Sequence, residues 1–311
     1  MKSSRGWSGP ACVVAAALMV AIGPVAPAAP LTRATVTETK NEVVYKPGTG
    51  AERPAKVADV VQGADVLRTG ERSLAEIEFP DKTITRLGSK SVFTFTAGVR
   101  EFHPGKGTTL IYMPKGMGGG RIVTSAITAA IEGTTVIVQE TELPPAAGQT
   151  EPRLVSKVIF LEGTGRVSLT HPQAVCPVND RRIGPGQMIA QSSDTPCLAP
   201  IEDIDLDLLI KRSAIVTGFS TPLPSLPLIE AAVVAQSQEK QNGTLVGSTT
   251  VGNVYSPSSQ PGTQGITDLP TSDPSSVQGT LLPVGDGFYF SSRQLPGSSP
   301  IQGGGGFVIH P

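Results

Sequence analysis

The chain has 311 residues and a formal net charge of −1, with only 16% charged and 5% aromatic residues beside 35 glycines and 28 prolines. That mix excludes a helical bundle and suits a turn-rich β protein with an unstructured portion. The near-neutral balance, without a long basic run, excludes a nucleic-acid footprint, and the length allows one or two domains.

The chain opens with a positive stretch at Lys2 and Arg5, an apolar run from Ala11 to Ile22, and Ala26-Pro27-Ala28, an A-x-A-like cleavage site. Residues 1–28 therefore read as a secretory signal peptide cut after Ala28. The alternative is a single membrane anchor, but the run is short for about 30 Å of hydrocarbon and prolines bracket it. A lipoprotein reading of Cys12 fits less well, because Cys12 starts the apolar run instead of following it. Cleavage would remove two of the 25 basic residues and none of the 26 acidic ones, leaving a net charge of −3.

Residues 29–40 read as a polar lead-in, and residues 41–191 as one β domain. Ala75, Ile77 and Phe79 alternate with Glu76 and Glu78, the period of a strand with one buried and one wet face. Pro80-Asp81-Lys82 is turn chemistry and Thr83 to Leu87 returns as a second strand, so the pair predicts a hairpin. Val92 to Phe95 predicts a further short strand. Ile131 to Val138 is β-branched except at Glu132 and Gly133, and a glycine inside such a run signals a bulge or a close backbone approach.

These segments resemble, in order, the FecR domain of bacterial periplasmic signalling proteins. The resemblance rests on Leu67, Thr69 and Gly70, then Ser73, Ala75, Glu76, Ile77, Phe79 and Asp81, then Arg86-Leu87, and finally Thr124, Ala126, Ala129, Ile131, Gly133, Thr134 and Val138. It extends weakly over the later Glu162-Gly163 turn, a strand and the Pro185-Gly186-Gln187 turn. It covers about residues 41–191, roughly half the chain. FecR-type proteins relay an iron-siderophore signal. A cytoplasmic part controls a sigma factor, one helix spans the inner membrane, and the periplasmic domain contacts an outer-membrane transporter. Here a signal peptide stands where the cytoplasmic part and spanning helix would be. The resemblance therefore implies a free periplasmic binding or scaffolding module, not a direct anti-sigma role.

Further along, Val155 to Gly163, Arg166 to Leu169 and Arg182 to Ile189 read as strands and turns, and Thr141 to Arg153 as a long loop. Cys176 and Cys197 are the pair left after cleavage, and an even pair in an exported chain predicts a disulfide, with its loop an insertion between and beyond the last two strands. A reactive or metal-binding thiol pair is the alternative, without a flanking His or acidic cluster to support it. In residues 200–242, Ile204, Leu208 and Ile215 or Leu209 fall at helical spacing, with acids ahead and Lys211-Arg212 behind, as the helix macrodipole favours. Leu228 to Gln241 predicts a second helix. Residues 243–311 collapse into Gly, Ser, Pro, Thr and Gln and read as a disordered low-complexity tail, with Phe288-Tyr289-Phe290 and Phe307-Val308-Ile309 as apolar islands.

Nothing in this pattern assembles a catalytic centre. His103, His171 and His310 lack sequence partners and read as surface histidines. Glu76 and Glu78 would lie about 7 Å apart on one strand face, with Asp81 nearby. That spacing admits acid–base work, but a solvated face already explains it. Asp203, Asp205 and Asp207 begin like a calcium loop yet lack its sixth-position glycine and distal glutamate. Gly105-Lys106-Gly107-Thr108-Thr109 and Gly116 to Gly120 do not match a phosphate loop and read as turns.

The sequence thus predicts an all-β domain of many short strands, β-helix-like or a sandwich or roll, followed by short helices and the tail. It predicts a periplasmic or secreted, non-catalytic module with no cofactor, no metal, no nucleic-acid partner and no membrane span after cleavage. Its partner would be an envelope protein or glycan, with signal sensing among the implied roles. The alternative is an envelope polysaccharide-acting enzyme on a β-rich scaffold. The lack of any tryptophan beyond Trp7 counts against it, since sugar platforms usually need aromatic faces.

Overall fold

Short alternating runs, cut by turns that require positive φ, fold residues 33–203 into eighteen strands. The computed structural model describes residues 30–145, 150–172, 176, 178–242, 282–284 and 287–289. In chain order the strands are β1 (Arg33–Lys40), β2 (Val43–Lys46), β3 (Arg53–Pro54), β4 (Val60–Gln62), β5 (Val66–Thr69), β6 (Leu74–Glu78), β7 (Ile84–Leu87), β8 (Val92–Thr96) and β9 (Glu101–Pro104). There follow β10 (Gly107–Tyr112), β11 (Gly120–Val123), β12 (Ile127–Ile131), β13 (Thr135–Leu143), β14 (Arg153–Glu162), β15 (Gly165–Leu169), β16 (Asp180–Ile183), β17 (Gln187–Ser192) and β18 (Glu202–Asp203).

These strands form two nine-stranded sheets. A central sheet has the order β18-β17-β14-β13-β10-β7-β6-β1-β4, and an outer sheet the order β16-β15-β12-β11-β9-β8-β5-β2-β3. The chain passes back and forth between them and advances along both in step. The product is an all-β sandwich wound as a roll, which is the predicted fold class. Strands pair antiparallel except for β9 and β11. Between the sheets lies an apolar core in which Phe79 meets Phe95 and Phe102 edge-on, at 5.0 and 5.6 Å between ring centres.

The helical segment forms a third layer. It contains α1 (Leu206–Arg212), α2 (Ala214–Thr217) and α3 (Leu226–Gln241). Asp205 caps α1 by accepting from the Leu208 N–H at 2.9 Å, and Lys211 and Arg212 close its last turn. Leu206, Leu209, Ile215, Val216, Leu223 and Ile229 cover the far face of the central sheet, burying Leu74, Leu110, Ile137, Ile159, Leu161 and Met188. Gln236 ties α3 to the start of α1, accepting from the Leu206 N–H and donating to the Ile204 carbonyl.

Coverage on both faces explains strands that do not alternate. All four residues of β7 are buried, as are the first six of β13. The outer sheet keeps one wet face, and its strands β5, β8 and β9 alternate.

Several expectations change. Arg33–Lys40, read as a lead-in, is an eight-residue strand that pairs with both β4 and β6. Its Ala34 and Val36 point into the core while Thr and Glu fill the alternate positions. Ile131 to Val138 is two strands in two sheets. Gly133 is the corner between them at φ +59, and Lys115 packs where a Cβ would stand. The predicted hairpin is present as β6 and β7, with Ala75 opposite Leu87 and Glu76 opposite Arg86. The Cys176–Cys197 disulfide is present, but its loop encloses β16 and β17 instead of lying between or beyond the last strands. Residues 1–28 lie outside the described residues. So does 243–311, apart from the hairpin β19 (Leu282–Val284) with β20 (Gly287–Tyr289).

Candidate functional site

The acidic cluster singled out in the sequence is dispersed into structural contacts. Glu76 is buried, not wet. Its Oε2 meets the Nε of Arg86 at 2.7 Å, and its Oε1 accepts from Thr37 Oγ1 at 2.7 Å. The correction has a simple cause, since the face that holds Glu76 lies under the helical layer. Asp81 accepts from the Thr83 N–H and hydroxyl inside the β6–β7 turn and pairs with Arg100 at 2.6 Å. Glu78 is the partly exposed one and binds Lys82.

The other candidates also separate. Asp203 accepts from Gln187, Asp205 caps α1 and binds Lys240, and Asp207 binds Lys211. The three carboxylates thus serve three different contacts. His103 shares a 2.9 Å hydrogen bond with Thr96 and sits 3.2 Å from Glu101, while His171 is exposed and His310 lies outside the described residues. Among the described residues no group of three or more His, Cys, Asp or Glu side chains is gathered as a metal site. Among them, too, no helix is long and apolar enough to cross a membrane.

What the structure assembles instead is a surface. Among the described residues no layer covers the outward face of the outer sheet, and across it the strand register lines up charged and small residues. Arg121 lies opposite Ala130, Ala130 opposite Arg166, and Arg166 opposite Arg182. These positions border an open cleft of about 610 Å³, whose lining also includes Gly119, Gly120 and Gly165. Gly165 is needed for the core side of its strand, where a Cβ would strike the Ala130 carbonyl at 2.6 Å and the Phe160 ring at 2.8 Å. Arg100 holds one end by donating to the Gly119 carbonyl at 2.8 Å.

The walls are cationic and solvated. The side chains of Arg121 and Arg166 are 62% and 67% exposed. Glu101 lies 3.8 Å from Arg121, Asp180 binds Arg166, and Arg182 donates to Thr164 Oγ1 at 3.4 Å. Glu132 is the one carboxylate in the cleft lining. Sequence reasoning missed this site because its arginines are spread over 62 positions and meet only through the pairing of four strands. The available signal was the run of glycines at 118–120 ahead of Arg121.

Sheet edges offer less. The outer sheet ends in the two-residue β3, which contains Pro54, and in the four-residue β16. The central sheet ends in β18 and β4, of two and three residues. Short, proline-bearing edges discourage strand addition.

No family model matches the chain, and no curated protein sequence does. Among solved structures it is similar to two crystal structures of proposed anti-sigma factors from Parabacteroides distasonis. One is 15% identical over 47% of this chain and 64% of that one, with a TM-score of 0.34. The other is 14% identical over 57% and 91%, with a TM-score of 0.33. The match to the first spans less than two thirds of that protein, and likenesses this distant carry no argument about what this chain does.

Proposed function

We propose that the chain is an exported, non-catalytic binding module of the bacterial envelope, FecR-like in its β domain, that engages its partner through the bare face of the outer sheet. The observation that carries this reading is the asymmetry of the sandwich. One outward face is sealed by three helices, while among the described residues the other is left to solvent, with Arg68, Thr94, Arg121, Arg166 and Ser168 on it beside Val44, Val66 and Val92. Export is supported by the Cys176–Cys197 disulfide, since such bonds persist in oxidising compartments. The FecR-like assignment is supported by the order of its sequence motifs. A polysaccharide-cleaving role would draw on Glu76 and Asp81, and both are engaged by arginines in structural pairs.

The test uses photo-cross-linking residues placed in living cells at Thr94 or Ser168 on the outer-sheet face, and at Ala231 on the exposed side of α3. The expected result is a discrete envelope adduct from Thr94 and Ser168, and none from Ala231. Adducts from Ala231 alone, or recovery of the chain in the cytoplasm with both cysteines reduced, would overturn the reading.

A further inference from the structure

We infer that the arginine-walled cleft on the outer sheet binds a carboxylate-bearing polysaccharide, a polyuronate in chemical class. The inference rests on the binding reading above and assigns it a ligand. Three features of the cleft lead there.

The first is charge geometry. Arg166 and Arg182 stand directly opposite each other on neighbouring strands, an arrangement that repels unless an anion lies between or beside them. Arg121 faces them across Ala130, two strands and so about 10 Å away. A guanidinium offers a planar fork that fits a carboxylate with two parallel hydrogen bonds. Beside the cleft, the Arg166 guanidinium already pairs with one carboxylate, that of Asp180, through a single nitrogen. The pairs with Glu101 and Asp180 are solvated and contribute little, so a ligand carrying several carboxylates can displace them.

The second is shape. The cleft is open to solvent, which admits an extended chain but does not enclose a compact molecule. The third is what lines the cleft. Among the described residues no aromatic ring borders it, so they supply no stacking platform of the kind that single-stranded nucleic acids use. With a net charge of −1, the chain as a whole also lacks the broad positive field of a nucleic-acid binder.

The experiment titrates the full chain, disulfide intact, with polygalacturonate, a glycerol-phosphate polymer, neutral dextran and a single-stranded oligonucleotide. Polygalacturonate should bind, more weakly as salt rises, and dextran should not. Arg121→Ala and Arg166→Ala should each weaken binding about tenfold, the loss of one charge-assisted contact. In the unmodified protein, polygalacturonate should also shield Arg121, Arg166 and Arg182 from an arginine-selective reagent, a readout that does not depend on how the variants fold. Absence of polygalacturonate binding, equal shielding of arginines outside the cleft, or preference for the phosphate polymer or the oligonucleotide would overturn the inference. Outer-face cross-links that persist without polyuronate binding would overturn the ligand and leave the binding reading standing; loss of both would remove both.

Discussion

Glu76 and Arg86 face each other across β6 and β7 beneath the helical layer. The Arg86 side chain is fully buried. Burial pulls its guanidinium below the ordinary value while Glu76 opposes that shift. Two further donors of Arg86 reach the carbonyls of Val216, at 2.9 Å, and Thr221, and the group lies 4.3 Å from the centre of the Phe219 ring. Glu38 adds to the same seam by accepting from the N–H and hydroxyl of Ser220. A buried charge that loses its partner costs about 3–5 kcal/mol, whereas replacing both partners by apolar groups is often neutral. Arg86→Met should therefore lower unfolding stability by about that amount, and Glu76→Met combined with Arg86→Met should recover most of it. Urea unfolding of the three proteins checks this, and equal losses in the single and double variants would show that the pair is not the source.

Glu140 is a buried carboxyl of another kind. It points between the sheets, has no ion-pair partner among the described residues, and takes hydrogen bonds from the hydroxyls of Ser125 and Ser156. Burial raises its pKa above the ordinary 4.5, and the two serines offset only part of that. The sign follows directly. Below the unfolded-state value the carboxyl is protonated in both states and costs nothing. Above it the unfolded chain releases the proton first, so the native state loses stability as pH rises through the window between the two values. Glu140→Gln should match the unmodified protein at pH 4 and become the more stable of the two as pH rises towards 8. Midpoints measured across that range test it, and a constant difference would mean that the carboxyl does not titrate in that window.

At the scale of elements, the strands were legible where one face is wet and illegible where both are covered. The β6–β7 hairpin could be read from Ala75, Ile77 and Phe79, because those positions alternate with acids. The same alternation misled about where the acids point, since nothing in Glu76 itself announces a helix packed above it. The acids before α1 and the bases after it marked that helix through local electrostatics. The seating of the helical layer on the sheet depends on contacts such as that of Arg86 with Val216, 130 residues apart, and left no local trace. Gly133 was recognisable as a break, but the change of sheet at that corner belongs to the whole roll.

The helical layer is therefore part of the core and not an appendage. Ending the chain after Leu198 would expose Leu110, Ile137, Ile159, Leu161 and Met188 and strip Arg86 of two acceptors. That protein should aggregate or lose its cooperative transition, whereas a chain ending after Asn242 should retain it. Limited proteolysis should accordingly leave a fragment that still contains α3. A stable fragment ending before Ile204 would sink this account.

At the scale of the molecule, the two ends of the roll are built differently. The amino-terminal end closes with the short edges β3 and β4. The carboxy-terminal end is stapled, because the Cys176–Cys197 bond spans 21 residues that include β16 at the rim of the outer sheet and β17 inside the central sheet. β17 is held on both sides by β14 and β18, but β16 pairs with β15 alone. Linking the ends of such a loop removes unfolded-state freedom worth about 3 kcal/mol. Local protection should fall most where the ladder is weakest. Replacing both cysteines by serine should lower stability by about 3 kcal/mol. It should also speed amide hydrogen exchange in β16 far more than in β14. Because β16 carries Arg182, the same change should loosen one wall of the cleft while leaving the Arg121 side in place. Superimposable unfolding curves and exchange rates for the two proteins would show that the bond only records the compartment and does not brace this end of the roll.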